Sequence, residues 1–170
     1  MDRTLKDILW LHLAATLDMM DNAMSVCPDE LWERPSPQMG FWYMAYHTLW
    51  FLDHDLSPAG EEFRPPAFDV YNYELGIKEP PYEHPYTKSD LRDYLQHCRG
   101  RCRTVIERLD QGDGPRIHGS QRIHANVTEV LVDQIRHVQH HAAQLNLLLR
   151  QTTDSAPDWV RRTQEALTPG

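Results

Sequence analysis

Residues 126–150 read NVTEVLVDQIRHVQHHAAQLNLLLR and carry the strongest helical pattern in the chain. Apolar residues recur there at spacings of three and four, which places them on one side of an α-helix. Asn126 stands three residues before Glu129, the spacing of a helix-capping pair. No proline interrupts the stretch, so we predict one long helix over about residues 126–152. Its stripe consists of Val127, Val130, Leu131, Gln134, Val138, His141, Leu145 and Leu148.

Three further proline-free windows show the same period, and none alternates between apolar and polar residues as a strand would. Thr87 and Asp90 form a second capping pair at the start of one of them. Four long helices without a strand pattern indicate an all-α four-helix bundle. The three additional predicted helices cover about residues 4–25, 38–55 and 88–110.

The connection between the second and third predicted helices runs from Leu56 to Tyr86, about thirty residues, and contains six prolines. A segment of that length can return along the bundle, so we expect an up-down-down-up order with a long crossover between helices 2 and 3. Long loops often lie over a functional site. We predict a single domain over residues 1–170, with a short C-terminal helix over about residues 156–166 that Trp159 docks.

Composition excludes several classes of function. The chain of 170 residues has 17 basic and 25 acidic residues, a net charge of −8, and no basic block for nucleic-acid binding. No run reaches the roughly 20 apolar residues of a membrane span, and the N-terminus lacks a signal-peptide pattern. Three irregularly spaced cysteines argue against a disulfide framework. We therefore expect a cytoplasmic protein with neither nucleic acid nor membrane as partner.

Ten histidines are the unusual part of the composition. His137 and His141 are four residues apart beside the apolar stripe, so their rings lie about 5–6 Å apart on one helix face, within reach of one metal ion. His140 points toward the outside of the helix. A third ligand must come from another helix, where six aromatic residues surround His47. The alternative is a core histidine that hydrogen-bonds a tyrosine or a backbone carbonyl.

Together these positions resemble the DinB-like family. The resemblance rests on His47 in the second helix and on the pattern His-x2-His-His-x2-Gln from His137 to Gln144, and it covers nearly the whole chain. Segments 31–35 and 85–91 also resemble the family's first connection and the entry to its third helix. The chain departs from the family in one respect, because Ala142 and Ala143 replace an Arg-Gly pair that members often carry after the two adjacent histidines.

The resemblance implies a bundle that is often a homodimer and that binds one divalent metal ion. Imidazole ligands suit zinc and nickel alike. Three imidazoles leave coordination positions open, as in catalytic zinc sites. Carried over residue by residue, the implied ligands are His47, His137 and His141.

Each ligating ring needs an acceptor for its second nitrogen. Gln144 lies one helical repeat beyond His137 and is expected to reach the same cavity, the alternative being a hydrogen bond at the bundle edge. Two aromatic neighbours of His47 are also cavity candidates, Tyr43 and Trp50. The candidate acceptors are Gln134, Asp53 and Asp133.

Relatives within the family include enzymes that use a low-molecular-weight thiol such as bacillithiol or mycothiol. The leading hypothesis is therefore a metal-dependent S-transferase whose partners are a small-molecule thiol and an electrophile. A metal-dependent hydrolase needs the same donors. The non-enzymatic alternative is a metal-stabilised dimeric module for binding or stress response. Cys98 and Cys102, on the apolar stripe of the third helix, are predicted to be buried rather than metal ligands.

Overall fold

A computed structural model describes residues 4–34, 40–63, 86–111 and 115–167. These residues form four long helices and two short ones, with no β-strand among them, so the predicted all-α fold is confirmed. The helices are α1 (Leu5–Val26), α2 (Asp29–Trp32), α3 (Phe41–Leu56), α4 (Lys88–Glu107), α5 (His118–Arg122) and α6 (Val127–Thr153).

Helix starts follow the capping signals in the sequence. Thr87 accepts a hydrogen bond from the backbone N–H of Asp90, whose side chain accepts one from Thr87 in return. Asn126 and Glu129 form the same capping box at the start of α6. These side chains satisfy N–H groups that have no partner within the helix, which fixes where each helix begins.

The four long helices enclose one apolar core. Both α1 and α3 pack against α4 and α6, so α1 and α3 occupy opposite corners of the bundle. Leucine, methionine and alanine make up most of the interior, with large aromatic side chains among them, and burial of an apolar side chain contributes about 1.5–3 kcal/mol to stability. The order of helix directions in the bundle as a whole stays a prediction. The five largest side chains with almost no exposed surface are Trp10, Trp50, Tyr46, Tyr94 and Phe41.

The prediction of a helix over residues 156–166 is wrong. The chain leaves α6 at Asp154, which adopts a left-handed conformation with φ of 57°, and residues up to 167 remain irregular. Their hydrogen bonds go to the bundle instead: the indole of Trp10 donates to the carbonyl of Glu165, and the N–H of Thr163 donates to that of Leu11. Trp159 is 62% exposed and does not dock the segment.

The described part of the crossover ends at Phe63 and resumes at Tyr86. The proposed path of residues 64–85 along the bundle lies outside the described residues. Two short helices, α2 and α5, are not predicted by the periodicity of the sequence, because four or five residues do not complete a repeat. Within the described part of the chain, every helix is too short or too polar to cross a lipid bilayer.

Candidate metal centre

Three histidines converge where α3 packs against α6. His47 comes from α3, whereas His137 and His141 lie one turn apart on α6. The ring centroids are 5.6 Å apart for His47 and His137, 5.0 Å for His47 and His141, and 4.8 Å for the two α6 rings. One nitrogen from each ring lies within 4.8 Å of the other two. The structure therefore brings the three predicted ligands together, and their role as ligands stays a prediction.

Burial keeps the ring of His137 in the form that binds metal. His141 is only 8% exposed. Desolvation, followed by the nearby His141 and His47, lowers the pKa of His137 to about 4. His137 is therefore neutral at pH 7, with one ring nitrogen carrying a lone pair. Its Nδ1 is buried and has no hydrogen-bond partner among the described residues, a feature that a bound cation or water can satisfy.

Gln144 orients the third ring. Its Oε1 lies 2.7 Å from Nδ1 of His141, one turn back on α6. An amide oxygen only accepts, so Nδ1 carries the proton and the ring's lone pair is at Nε2. Metal-ligating histidines are commonly fixed by such an acceptor at the second nitrogen. The interaction gives Gln144 a position next to the histidines.

A cavity of about 610 Å³ opens beside the cluster. His47 and His137 line it together with Phe51, whose ring centroid lies 4.9 Å from that of His47 and 5.9 Å from that of His137. Two arginines, Arg122 and Arg136, also line it. The remaining described lining residues are Asp133, Gln134 and the exposed His140.

Not every predicted neighbour lies at this cavity. Asp53 is fully buried, but its described partners Tyr94, His97 and Arg101 all belong to α4, so it does not hold a ligating ring. Asp133 and Gln134 line the cavity. Trp50 is fully buried and stacks on His54, with ring centroids 5.0 Å apart, outside the described lining. Tyr43 packs on Trp42 and Tyr46, also outside it.

An ion pair that periodicity does not reveal lies directly under the cluster. Asp55 is 1% exposed and accepts from the Nε and a terminal nitrogen of Arg122. The Nε2 of Gln134 donates at 2.8 Å to Oδ2 of Asp55, which also accepts from the terminal nitrogen of Arg122, and Nδ1 of His54 lies 3.1 Å from Oδ1. Burial alone raises the pKa of Asp55, but the hydrogen bonds from His54 and Arg122 outweigh it and lower that pKa. The ion pair therefore joins α3 to α5, and the hydrogen bond from Gln134 joins both to α6.

Glycine at position 119 allows α5 to approach α3 closely enough for this contact. A Cβ at Gly119 would lie 2.7 Å from Cγ1 of Val130 and 3.0 Å from Cβ of Asp55. Real Cβ atoms do not approach other atoms so closely, so any other residue would push α5 away. Arg122 sits at the end of the same short helix, and its position depends on this approach.

The cysteines behave as the sequence predicts. Cys98 and Cys102 are completely buried on α4. Burial raises the pKa of both thiols, that of Cys102 to about 12. A protonated, inaccessible thiol neither binds metal nor attacks an electrophile at neutral pH.

Comparison with known families gives one match. A family model described as the DinB superfamily matches residues 12–145, which include all three histidines of the cluster. Curated proteins and solved structures give no match.

We expect Arg122→Gln to lower the free energy of unfolding by about 1–3 kcal/mol, because it leaves the buried Asp55 carboxylate without its bidentate partner. Arg136→Gln is the matched control, since Arg136 is an exposed arginine lining the same cavity. Urea unfolding followed by circular dichroism measures both. Equal losses in the two variants would contradict a structural role for the pair.

The difference in the free energy of unfolding between Arg122→Gln and wild type depends on pH. The pKa of Asp55 is lowered in the folded state, so its pairing stabilises the fold above the ordinary aspartate pKa of 3.8. That stabilisation is lost as the pH falls through the lowered pKa, because the carboxyl must then be protonated in both states. The free energies of unfolding of Arg122→Gln and wild type, measured by urea unfolding, should therefore become more similar as the pH falls below 3.8.

Proposed function

Because the chain belongs to the DinB superfamily and brings three histidines together, we propose that it binds one divalent metal ion and transfers a low-molecular-weight thiol to an electrophile. The observation that carries the proposal is the convergence of His47, His137 and His141, whose candidate ligand atoms lie within 4.8 Å of one another. Zinc and nickel are the proposed metals.

The donor set fits such an ion. Three nitrogens bound to one tetrahedral zinc ion at about 2.0–2.1 Å lie about 3.3–3.4 Å apart. The candidate nitrogens, within 4.8 Å of one another, reach that spacing by a small inward shift of the rings. The lowered pKa of His137 favours the neutral ring, the form that donates a lone pair. Gln144 fixes the tautomer of His141, and the orphaned Nδ1 of His137 gives a further polar atom at the site.

A divalent ion at this position supplies a lowered pKa to a coordinated thiol or water. The chain's own residues supply binding and exclusion of solvent. Arg136 lines the cavity and suits a carboxylate on the thiol or on the electrophile, whereas Arg122 is already engaged by Asp55. Phe51 covers His47 and His137 with an apolar ring, which keeps water from that side.

One observation favours the second candidate, a metal-dependent hydrolase. Asp133 is the only carboxylate among the described residues that line this cavity, and a carboxylate there can accept a proton from an attacking water. The homodimer and the cytoplasmic location expected from the sequence stay predictions.

Metal content tests the site directly. We expect purified protein to hold about one zinc or nickel ion per chain, and His137→Ala to lose it. His140→Ala is the matched control, because His140 lies on the same helix next to His141 but is exposed and outside the cluster. Plasma mass spectrometry measures the metal, and circular dichroism confirms that each variant is folded.

Absence of metal from wild-type protein, even after reconstitution, would contradict the proposal and leave a non-catalytic bundle. Equal loss in His137→Ala and His140→Ala would contradict the assignment of ligands. A folded His47→Asn variant provides a second test of the cluster from α3 rather than from α6.

Gln144→Leu tests the orientation of the third ring. Removal of the acceptor at Nδ1 of His141 should weaken metal binding about 10–100-fold, the usual effect of losing such a partner. Gln151→Leu is the control, because Gln151 is an exposed glutamine on the same helix. Competition with a chromogenic chelator measures the two affinities, and unchanged binding in Gln144→Leu would contradict the positioning role.

Thiol transfer is tested with bacillithiol, mycothiol and cysteine against a bimane electrophile, whose thioether fluoresces. We expect the metal-loaded chain to accelerate product formation over metal-free chain with at least one thiol. Arg136→Gln should raise KM for a carboxylate-bearing thiol and leave kcat nearly unchanged. If the metal-loaded chain accelerates none of these reactions, transfer of these thiols is excluded. The metal-dependent hydrolase then becomes the preferred candidate.

A further inference from the structure

A second cavity, of about 780 Å³, lies on the α4 side of α3, whereas the three histidines lie on its α6 side. Its walls come from the end of α3, the segment just after it, the second half of α4, and residues 115–117. Among the described residues, it shares no lining side chain with the cavity beside the histidines. We propose that this second cavity binds a small organic anion, a carboxylate or a phosphate monoester with an apolar body.

Charge is the first argument for an anion. Arg101, Arg108 and Arg116 line the cavity, against the single carboxylate of Glu61 among its described residues. The chain as a whole has a net charge of −8, so this concentration of arginine is opposite in sign to the rest of the molecule. Guanidinium groups bind carboxylate and phosphate through paired N–H donors.

The buried carboxylate of Asp53 fixes the position of two polar side chains that line the cavity. Asp53, with no exposed surface, accepts from Nε of Arg101 and from the hydroxyl of Tyr94 at 3.2 Å. Its Oδ1 also lies 3.2 Å from Nε2 of His97. Arg101 and His97 are 22% and 36% exposed and line the cavity. Groups already fixed in position lose little freedom when a ligand binds, which favours affinity.

The wall opposite α4 is a paired segment of backbone. Pro58 and Ile117 form an isolated antiparallel bridge. Around it, the N–H of Ala59 donates to the carbonyl of Arg116 and that of His118 donates to the carbonyl of Ser57, each at 2.9 Å. These bonds fix the backbone that carries the Arg116 side chain. The cavity's apolar surface comes from buried side chains at its base, namely Leu56, Val105 and Ile117.

Gly100, which lies on α4, is a further feature that supports a ligand site in the second cavity. Glycine weakens a helix interior relative to alanine, yet this one stands in the middle of α4 and lines the cavity. A Cβ added there would meet no atom within 4 Å. A side chain added at this position therefore begins in open space beside the cavity, which provides a test that leaves every charge unchanged.

The experiment is isothermal titration calorimetry of the full chain with benzoate, with phenyl phosphate, and with benzyl alcohol as the uncharged control. We expect at least one anion to bind and the alcohol to bind at least tenfold more weakly. The tighter of the two anions identifies whether the site prefers a carboxylate or a phosphate.

Two sets of variants locate the binding. Arg108→Gln combined with Arg116→Gln, and Gly100→Leu alone, should each weaken anion binding about tenfold or more. Arg34→Gln combined with Arg150→Gln removes the same charge from exposed positions away from the cavity and should leave binding unchanged. His137→Ala should also leave it unchanged, because that histidine belongs to the other cavity.

Each other result overturns the proposal. Failure of both anions to bind at millimolar concentration excludes the site, and equal binding of benzyl alcohol excludes recognition of charge. Loss of binding in His137→Ala but not in Gly100→Leu places the anion at the histidine cluster instead. All variants change exposed positions except His137→Ala, and thermal unfolding verifies that each is folded.

Discussion

The buried carboxylate of Asp55 is the constraint on which the geometry of the histidine cluster depends. A charged group without exposed surface destabilises the fold unless it is paired, and here Arg122 of α5 and Gln134 of α6 both donate to it. Gln134 lies one turn before His137 on α6, and Asp55 lies two turns after His47 on α3. The pairing therefore fixes the two helices that carry the three histidines against each other.

Asp53 is also a buried carboxylate that must be paired, and it lies on the opposite side of α3. Two residues along a helix point in nearly opposite directions, so Asp53 faces α4 while Asp55 faces α5 and α6. Acidic groups near a helix C-terminus are disfavoured by the helix dipole. Arg101 and Arg122 offset that cost, one on each side. The end of α3 is thus tied to α4 and α5 by two ion pairs and to α6 by the hydrogen bond from Gln134, and each ion pair lies beside one of the two cavities.

The sequence predicts the parts of this structure that depend on local pattern. The periodicity of residues 126–150 and the capping pair of Asn126 and Glu129 predict α6 to within one residue at each end. The spacing of His137 and His141 places both rings on one face. The pairing of Asp55 with Arg122 has no such signal, because the two residues are 67 positions apart and a five-residue helix positions the arginine. The nonhelical tail after Asp154 is also set by distant contacts, with α1.

The charges around the two cavities differ in a way that matters for their ligands. At the second cavity, Asp53 already neutralises part of the arginine charge, so the remaining positive charge is modest and suits a singly or doubly charged organic anion. At the first, Arg122 is paired with Asp55, and Asp133 lines the cavity with Arg136, so acidic and basic side chains balance there. The imidazole rings of the proposed ligands carry no negative charge, so a divalent ion held by them would keep most of its charge until an anionic ligand bound. In the proposed site a thiolate would offset that charge and a neutral thiol would not, whereas the lowered pKa of His137 has a different first cause, its desolvation by burial.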